Sequence, residues 1–111
     1  MRKILSLENT HIEAAKAIQN YHSDIVTEVE KAVVGYEWVI VGMKQNPVVR
    51  SAKNFLSEKQ IPFQYIEHGG YFSMWKQRLA IKLWSGWPTF PQVFHKGVLI
   101  GGFSDLKKYL K

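Results

Sequence analysis

A short apolar run in the middle of the chain, from Trp38 to Met43, is the feature that most constrains the fold. Three β-branched residues, Val39, Ile40 and Val41, follow one another there without any polar residue between them. An uninterrupted run of this kind is typical of a parallel strand that is buried on both of its faces, because helices cover each side of the sheet. The run therefore predicts the central strand of an α/β domain.

Two helices are predicted before this strand. The spacing of apolar residues indicates the first over 11–19, capped by Asn9 or Thr10, and the second over 24–34, capped by Ser23. The pattern is weakest at the start of the chain. We therefore predict two units, which are an N-terminal helical extension at 1–21 and a main domain at 22–111.

Helices and strands are also predicted to alternate after the central strand. Asn46 is a suitable N-cap and Pro47 suits the first position of a helix. A second strand follows over 63–66, and Ser73 is the expected cap of the next helix. The apolar face of that helix is predicted to consist of Trp75, Leu79, Ile81, Leu83 and Trp84.

The C-terminal part of the chain has the pattern of a hairpin followed by a helix. Strands over 92–95 and 98–100 flank Lys96-Gly97, a suitable two-residue turn, and Ser104 is the expected cap of the last helix. The complete order after the extension is α, β, α, β, α, β, β, α. This is a thioredoxin-type order, and it predicts a four-stranded mixed sheet flanked by helices.

Composition excludes several classes of function. The chain has no cysteine, which excludes disulfides, thiolate metal sites and cysteine nucleophiles. Its four histidines have no close metal-ligand spacing, so no metal site is expected. The formal net charge of +6 is either distributed over the surface or attracts a small anionic ligand. The lysines are scattered, which disfavours a nucleic-acid partner. The sequence also lacks the run of about 18 apolar residues that a membrane-spanning helix needs. The expected location is the cytoplasm.

Two segments near the C-terminus resemble one protein family. Residues 84–94 read WSGWPTFPQVF and residues 101–106 read GGFSDL, which is similar to the C-terminal half of a glutaredoxin. The Trp87-Pro88 pair before Thr89-Phe90-Pro91 is closest to the monothiol branch. The resemblance implies a glutaredoxin-type fold, a cis peptide bond before Pro91 and a groove in which the backbone of Phe90 pairs with the middle of glutathione.

The resemblance also implies which side chains hold glutathione. Lys44 and Arg78 match the cationic groups that bind its glycyl carboxylate, and Ser104 and Asp105 match the site for its γ-glutamyl end. Each has a simpler interpretation, since Lys44 and Arg78 could be solvated charges and Ser104 a plain helix cap. The complete set of predicted ligand residues is Lys44, Arg78, Thr89, Phe90, Pro91, Ser104 and Asp105.

The chain departs from the family at the reactive position. If Pro47 is aligned with the family proline, Asn46 stands at the nucleophilic cysteine and Val49 at the second cysteine, with the spacing from Lys44 one residue shorter than usual. An amide cannot attack a disulfide, so we predict no catalytic residue. Asn46 is then either a structural cap or a direct contact to ligand.

Three functions remain open at this point. The first is a non-redox module that retains the groove, needs no cofactor and binds glutathione without a covalent bond. The second is an adaptor with a vestigial groove, which contacts a protein partner through its N-terminal helices or exposed aromatic residues. The third is an enzyme that uses the thiol of bound glutathione.

Overall fold

The computed structural model describes Leu5 and residues 11–69 and 74–111. This part of the chain contains five helices and four strands. In chain order they are α1 (Ile12–Asn20), α2 (Ser23–Gly35), β1 (Trp38–Gly42), α3 (Pro47–Glu58), β2 (Gln64–Glu67), α4 (Trp75–Ser85), β3 (Gln92–His95), β4 (Val98–Gly101) and α5 (Phe103–Tyr109). The proposed caps Asn9, Thr10 and Ser73 lie outside the described residues.

The four strands form one mixed sheet in the order β2-β1-β3-β4. β1 runs parallel to β2 and antiparallel to β3, and β3 pairs with β4 in an antiparallel hairpin. All five residues of β1 are buried, as the apolar run predicts. Lys96 and Gly97, at the tip of the hairpin, have φ angles of 52° and 81°, and a two-residue turn with this backbone matches the twist of its strands. The predicted four-stranded mixed sheet is confirmed.

Helices cover both faces of the sheet, so the core has two layers. Val39 and Val41 of β1 pack with buried residues of α2 and α4, including Val29 and Ile81. Ile40 faces the opposite way, where residues of α3 and α5 pack against β1 and β3. Successive side chains of a strand point to opposite faces, which is why an uninterrupted apolar run is needed at this position.

Two predicted helix caps are wrong. Ser23 is the first residue of α2, and the bend before the helix is made by His22, whose φ angle is 44° and whose carbonyl accepts from the N–H groups of Ile25 and Val26. Ser104 lies inside α5, which begins one residue earlier because Gly102 occupies the N-cap position.

The predicted apolar face of α4 is wrong at three positions, whereas Ile81 is buried and the ring of Trp84 contacts that of the buried Phe94. The buried side chains of this helix are Arg78, Ala80 and Ile81. Trp75, Leu79 and Leu83, one turn apart from each other, are instead exposed to solvent by 57%, 37% and 58%. None of the helices in the described part of the chain combines the length and hydropathy needed to cross a bilayer.

Candidate functional site

The loop between β1 and α3 stands where the resemblance places the reactive cysteine. Asn46 Oδ1 accepts hydrogen bonds from the backbone N–H groups of Val48, at 2.9 Å, and Val49, at 3.0 Å. Pro47 is the first residue of the helix, so the predicted cap of α3 is confirmed. The side chain of Val49 is buried in the core. The helix N–H groups that can stabilise a thiolate are thus already satisfied by a neutral amide.

A groove of about 280 Å³ lies between the start of α3, the segment before β3 and the start of α5. Five residues predicted from the resemblance line it, namely Thr89, Phe90, Pro91, Ser104 and Asp105. The peptide bond between Phe90 and Pro91 is cis. Four further lining residues were not predicted, and these are Val48, Trp87, Gly102 and Phe103. Their signal in the sequence is weak, because three of them are ordinary core-type side chains and the fourth is a glycine.

The carboxylate of Asp105 is fixed at the α5 end of the groove. Its Oδ2 accepts from the N–H of Gly102 at 3.0 Å, and its Oδ1 has no hydrogen-bond partner among the described residues. Gly101 has a φ angle of 123°, and a Cβ on it would lie 2.6 Å from Asp105 Oδ2. A glycine is therefore required where β4 turns into α5. One carboxylate oxygen remains for a ligand.

Trp87 forms a wall of the groove because its backbone is held from two directions. Its N–H donates to Ser85 Oγ at 3.1 Å, and its carbonyl accepts from Nε2 of the fully buried Gln92 at 3.1 Å. The indole Nε1 is buried and has no hydrogen-bond partner within the described part of the chain. Gln92 thus holds the backbone of Trp87 in place, although Gln92 itself does not line the groove.

The structure does not bring Lys44 and Arg78 into the lining of this groove. Lys44 is exposed, and its backbone N–H donates to the carbonyl of Gly69. Arg78 is only 7% exposed, and one guanidinium nitrogen donates to the carbonyl of His68 at 3.0 Å. Arg78 therefore connects α4 to the segment after β2, and its contact with a ligand carboxylate stays a prediction.

Two lysines that the sequence did not single out lie beside the aromatic walls. Lys107 Nζ is 4.6 Å from the ring centroid of Phe103, and Lys82 Nζ is 5.6 Å from that of Phe90. These ammonium groups add positive charge close to two lining residues. Positive charge beside this groove therefore comes from two lysines other than the predicted Lys44 and Arg78.

A second, smaller polar cavity of about 130 Å³ is lined by Asn46 together with Lys53, Tyr65 and Glu67. The hydroxyl of Tyr65 donates to Glu67 Oε1 at 3.0 Å, and Lys53 Nζ lies 4.0 Å from its ring centroid. Burial raises the pKa of Tyr65 above its ordinary value, and the hydrogen bond to Glu67 raises it further. Tyr65 is therefore a neutral phenol at physiological pH and does not supply a base.

The described residues contain no group of three or more histidine, aspartate or glutamate side chains that could hold a metal ion. Since the whole chain also lacks cysteine, no thiolate can ligate iron or zinc. Asp105 and the aromatic residues Trp87, Phe90 and Phe103 give the groove one carboxylate and an apolar surface.

Comparison with known proteins agrees with this architecture. Residues 39–100 match the family model described as Glutaredoxin. A glutaredoxin-like protein of Dictyostelium discoideum is 47% identical over 109 residues, which cover 98% of this chain and 87% of the relative. Two solved structures, a mutated buckwheat glutaredoxin and a buckwheat glutaredoxin–glutathione complex, superpose with TM-scores of 0.73 and 0.69, each at 18% identity over 83% of this chain and 84% of theirs. The chain therefore belongs to the glutaredoxin family, and it is a member without any cysteine.

Proposed function

We propose that the protein is a non-redox binding module that holds glutathione non-covalently in the groove. One observation carries this proposal. Thr89, Phe90 and Pro91 line the same groove as Ser104 and Asp105, although the two groups are separated along the chain by a complete β-hairpin. This arrangement supports binding of the tripeptide by a chain that has no thiol.

The charges around the groove suit a tripeptide with one amine and two carboxylates. Oδ1 of Asp105 can accept from the γ-glutamyl ammonium, while Oδ2 stays bound to Gly102. Lys82 and Lys107 lie beside Phe90 and Phe103 and attract the carboxylates. The net charge of +6 favours association with such an anion. A buckwheat glutaredoxin of the same fold has been solved with glutathione, which supports the choice of ligand.

The geometry at Asn46 favours binding over activation of the bound thiol. The start of a helix stabilises a thiolate through its free backbone N–H groups, and those of Val48 and Val49 already bind Asn46 Oδ1. Tyr65, with its raised pKa, does not act as a base. The third function, an enzyme that uses the thiol of bound glutathione, is therefore less well supported than the binding module.

Ligand-linked stability tests the binding proposal. Without a covalent bond we expect a Kd on the order of 1 mM. Reduced glutathione at 10 mM should then raise the free energy of unfolding by about 1.4 kcal/mol in a denaturant titration, whereas triglycine at 10 mM should not. Asp105→Asn keeps an acceptor for Gly102 but loses the charge, so it should weaken binding about tenfold.

Glu58→Gln is the matched control, because Glu58 ends α3 and does not line the groove. This variant should bind glutathione as the parent does. Equal stability of the parent protein with and without glutathione would contradict the proposal, and so would equal binding by the Asp105 and Glu58 variants.

One exposed surface favours a second candidate function, that of an adaptor. We define the α4 face as Trp75, Leu79 and Leu83, which lie one turn apart on the same side of the helix and are exposed. Lys76 and Lys82 belong to the same helix, which carries no acidic residue. Two copies of this chain would bring these lysines together, so the charge favours a different partner. The surface suits an amphipathic helix with acidic flanks.

A synthetic amphipathic peptide tests this candidate. A 14-residue helix with leucine on one face and glutamate on the other should bind the protein and change its tryptophan fluorescence. Leu79→Gln should weaken this binding at least fivefold, whereas Val98→Gln, at an exposed position on β4, should not. Equal binding of a second peptide in which lysine replaces glutamate would contradict the charge argument.

A further inference from the structure

We infer that the groove selects thioethers of glutathione, in which the sulfur carries an alkyl group, over glutathione with a free thiol. This inference rests on the proposed function, because it specifies which form of the tripeptide the groove takes. It follows from two features of the groove wall, the engaged donors at the start of α3 and the apolar surface beside them.

The first feature is that the backbone N–H groups at the start of α3 are already engaged. In the proposed binding mode the amine lies at Asp105 and the backbone lies along Thr89 and Phe90, which leaves the remaining wall at the start of α3 for the middle side chain. Val48 is the residue of α3 that lines the groove there, and its N–H already binds Asn46 Oδ1 at 2.9 Å. The backbone N–H groups of the helix are thus unavailable to a thiolate, and this end of the groove suits a neutral sulfur.

The second feature is uncovered apolar surface around this position. Val48 is 46% exposed although it lies at the start of a helix that packs against the core. Phe103 lines the groove as well, and its ring is held by an edge-to-face contact with Phe55 at 5.9 Å and by Lys107 at 4.6 Å. An aromatic ring fixed on two sides is a rigid apolar wall. An alkyl group that covers Val48 and Phe103 would remove this surface from water.

The size of the preference can be bounded from apolar burial. Each buried methylene raises affinity by up to about fourfold. A hexyl chain that covers Val48 and the ring of Phe103 and leaves its end in solvent buries some of its methylenes, so we expect at least a tenfold gain over the free thiol. A methyl group should give a gain of about twofold to fourfold. The affinity should thus increase with the length of the alkyl group.

The experiment compares three ligands on the intact protein. The dissociation constants of glutathione, S-methylglutathione and S-hexylglutathione are measured by the same fluorescence titration. We expect S-hexylglutathione to bind at least tenfold more tightly than glutathione, with the methyl derivative between them. In Val48→Ser the ratio of the dissociation constants of glutathione and S-hexylglutathione should fall to about threefold. Val34→Ser is the matched control, because Val34 is 83% exposed on α2 and lies away from the groove. Its ratio should equal that of the parent.

The outcomes separate this inference from the proposal on which it rests. Equal affinities for the thiol and the thioethers would overturn the inference and leave glutathione binding established. A tenfold ratio that survives in Val48→Ser would also overturn it, because the alkyl group would then lie elsewhere. Failure of all three ligands to bind at 10 mM would overturn the proposed function together with the inference.

Discussion

The protein is expected to reduce no mixed disulfide of glutathione, although it belongs to the glutaredoxin family and has the fold of one. Reduction begins when a thiolate attacks the disulfide, and the chain contains no cysteine to provide one. Asn46, which the resemblance aligns with the nucleophilic cysteine, is a neutral helix cap. In an assay coupled to glutathione reductase, the rate should equal that of a heat-treated sample. Reproducible turnover above this background, by protein free of contaminating oxidoreductase, would contradict the prediction.

The variant Asn46→Cys tests whether a thiol at the start of α3 becomes reactive. Its sulfur would lie at the start of α3, where the N–H groups of Val48 and Val49 lose their acceptor and become available to a thiolate. We expect the pKa of this thiol to fall below the ordinary value of about 8.5 and the variant to gain weak activity. Loss of the cap should also cost about 1 kcal/mol of stability.

Ser51→Cys is the matched control, because it places a thiol on the same helix at an exposed position beyond the first turn. Its thiol should titrate near 8.5 and give no turnover. If the two cysteines titrate alike, Asn46 does not occupy the position of the family's nucleophile.

Replacing Arg78 by alanine is expected to lower the free energy of unfolding by about 3 kcal/mol, the largest loss of stability that we predict. The guanidinium is nearly buried and donates to the carbonyl of His68, ten residues earlier in the chain. Truncation leaves this carbonyl without that donor and opens a cavity between α4 and the segment after β2, and both effects are costly. Denaturant unfolding measures the change.

Lys76→Ala is the control for Arg78, because Lys76 is exposed on the same helix. It should change stability by less than about 0.5 kcal/mol. If Arg78→Ala is as stable as the parent but binds glutathione tenfold more weakly, the guanidinium acts on the ligand and its structural role is refuted.

Local sequence signals predicted those parts of the fold that depend on neighbouring residues. The uninterrupted apolar run identified the central strand, and Asn46-Pro47 identified the start of α3. Lys96-Gly97 identified the hairpin, because few residues adopt positive φ angles in succession. In each case the residues that decide the structure are adjacent in the chain.

One of the predictions that proved wrong, the buried face of α4, depended on contacts between distant residues, whereas the two helix caps were decided by near neighbours. α4 has apolar side chains on more than one side, so its spacing alone does not show which side is buried. The structure buries Arg78 because the carbonyl of His68, from a different segment, accepts its hydrogen bond. Ser104 was chosen as a cap by residue type, whereas Asp105 reaches back to Gly102 and fixes the start of α5.

Only part of the groove was predicted, because some of its lining residues are brought together by the fold and not by a motif. Its motif residues, such as Thr89 and Asp105, were identified from the resemblance, and the structure places them together. Val48 and Phe103 have no polar group that marks them in the sequence, and only the folded chain shows that they share a wall with the motif. The sequence therefore indicated the motif residues of the groove and missed the apolar side chains of Val48 and Phe103 beside them.

An NMR titration of the ¹⁵N-labelled protein with reduced glutathione tests most directly whether the groove still binds its ligand without a thiol. We predict fast-exchange shifts, saturating in the millimolar range, for the amides of Val48, Phe90, Gly102 and Ser104, all of which lie in the groove. The amides of α1 should not move. No shifts up to 10 mM, or shifts confined to α1 and α2, would contradict the account and leave the adaptor function as the better interpretation.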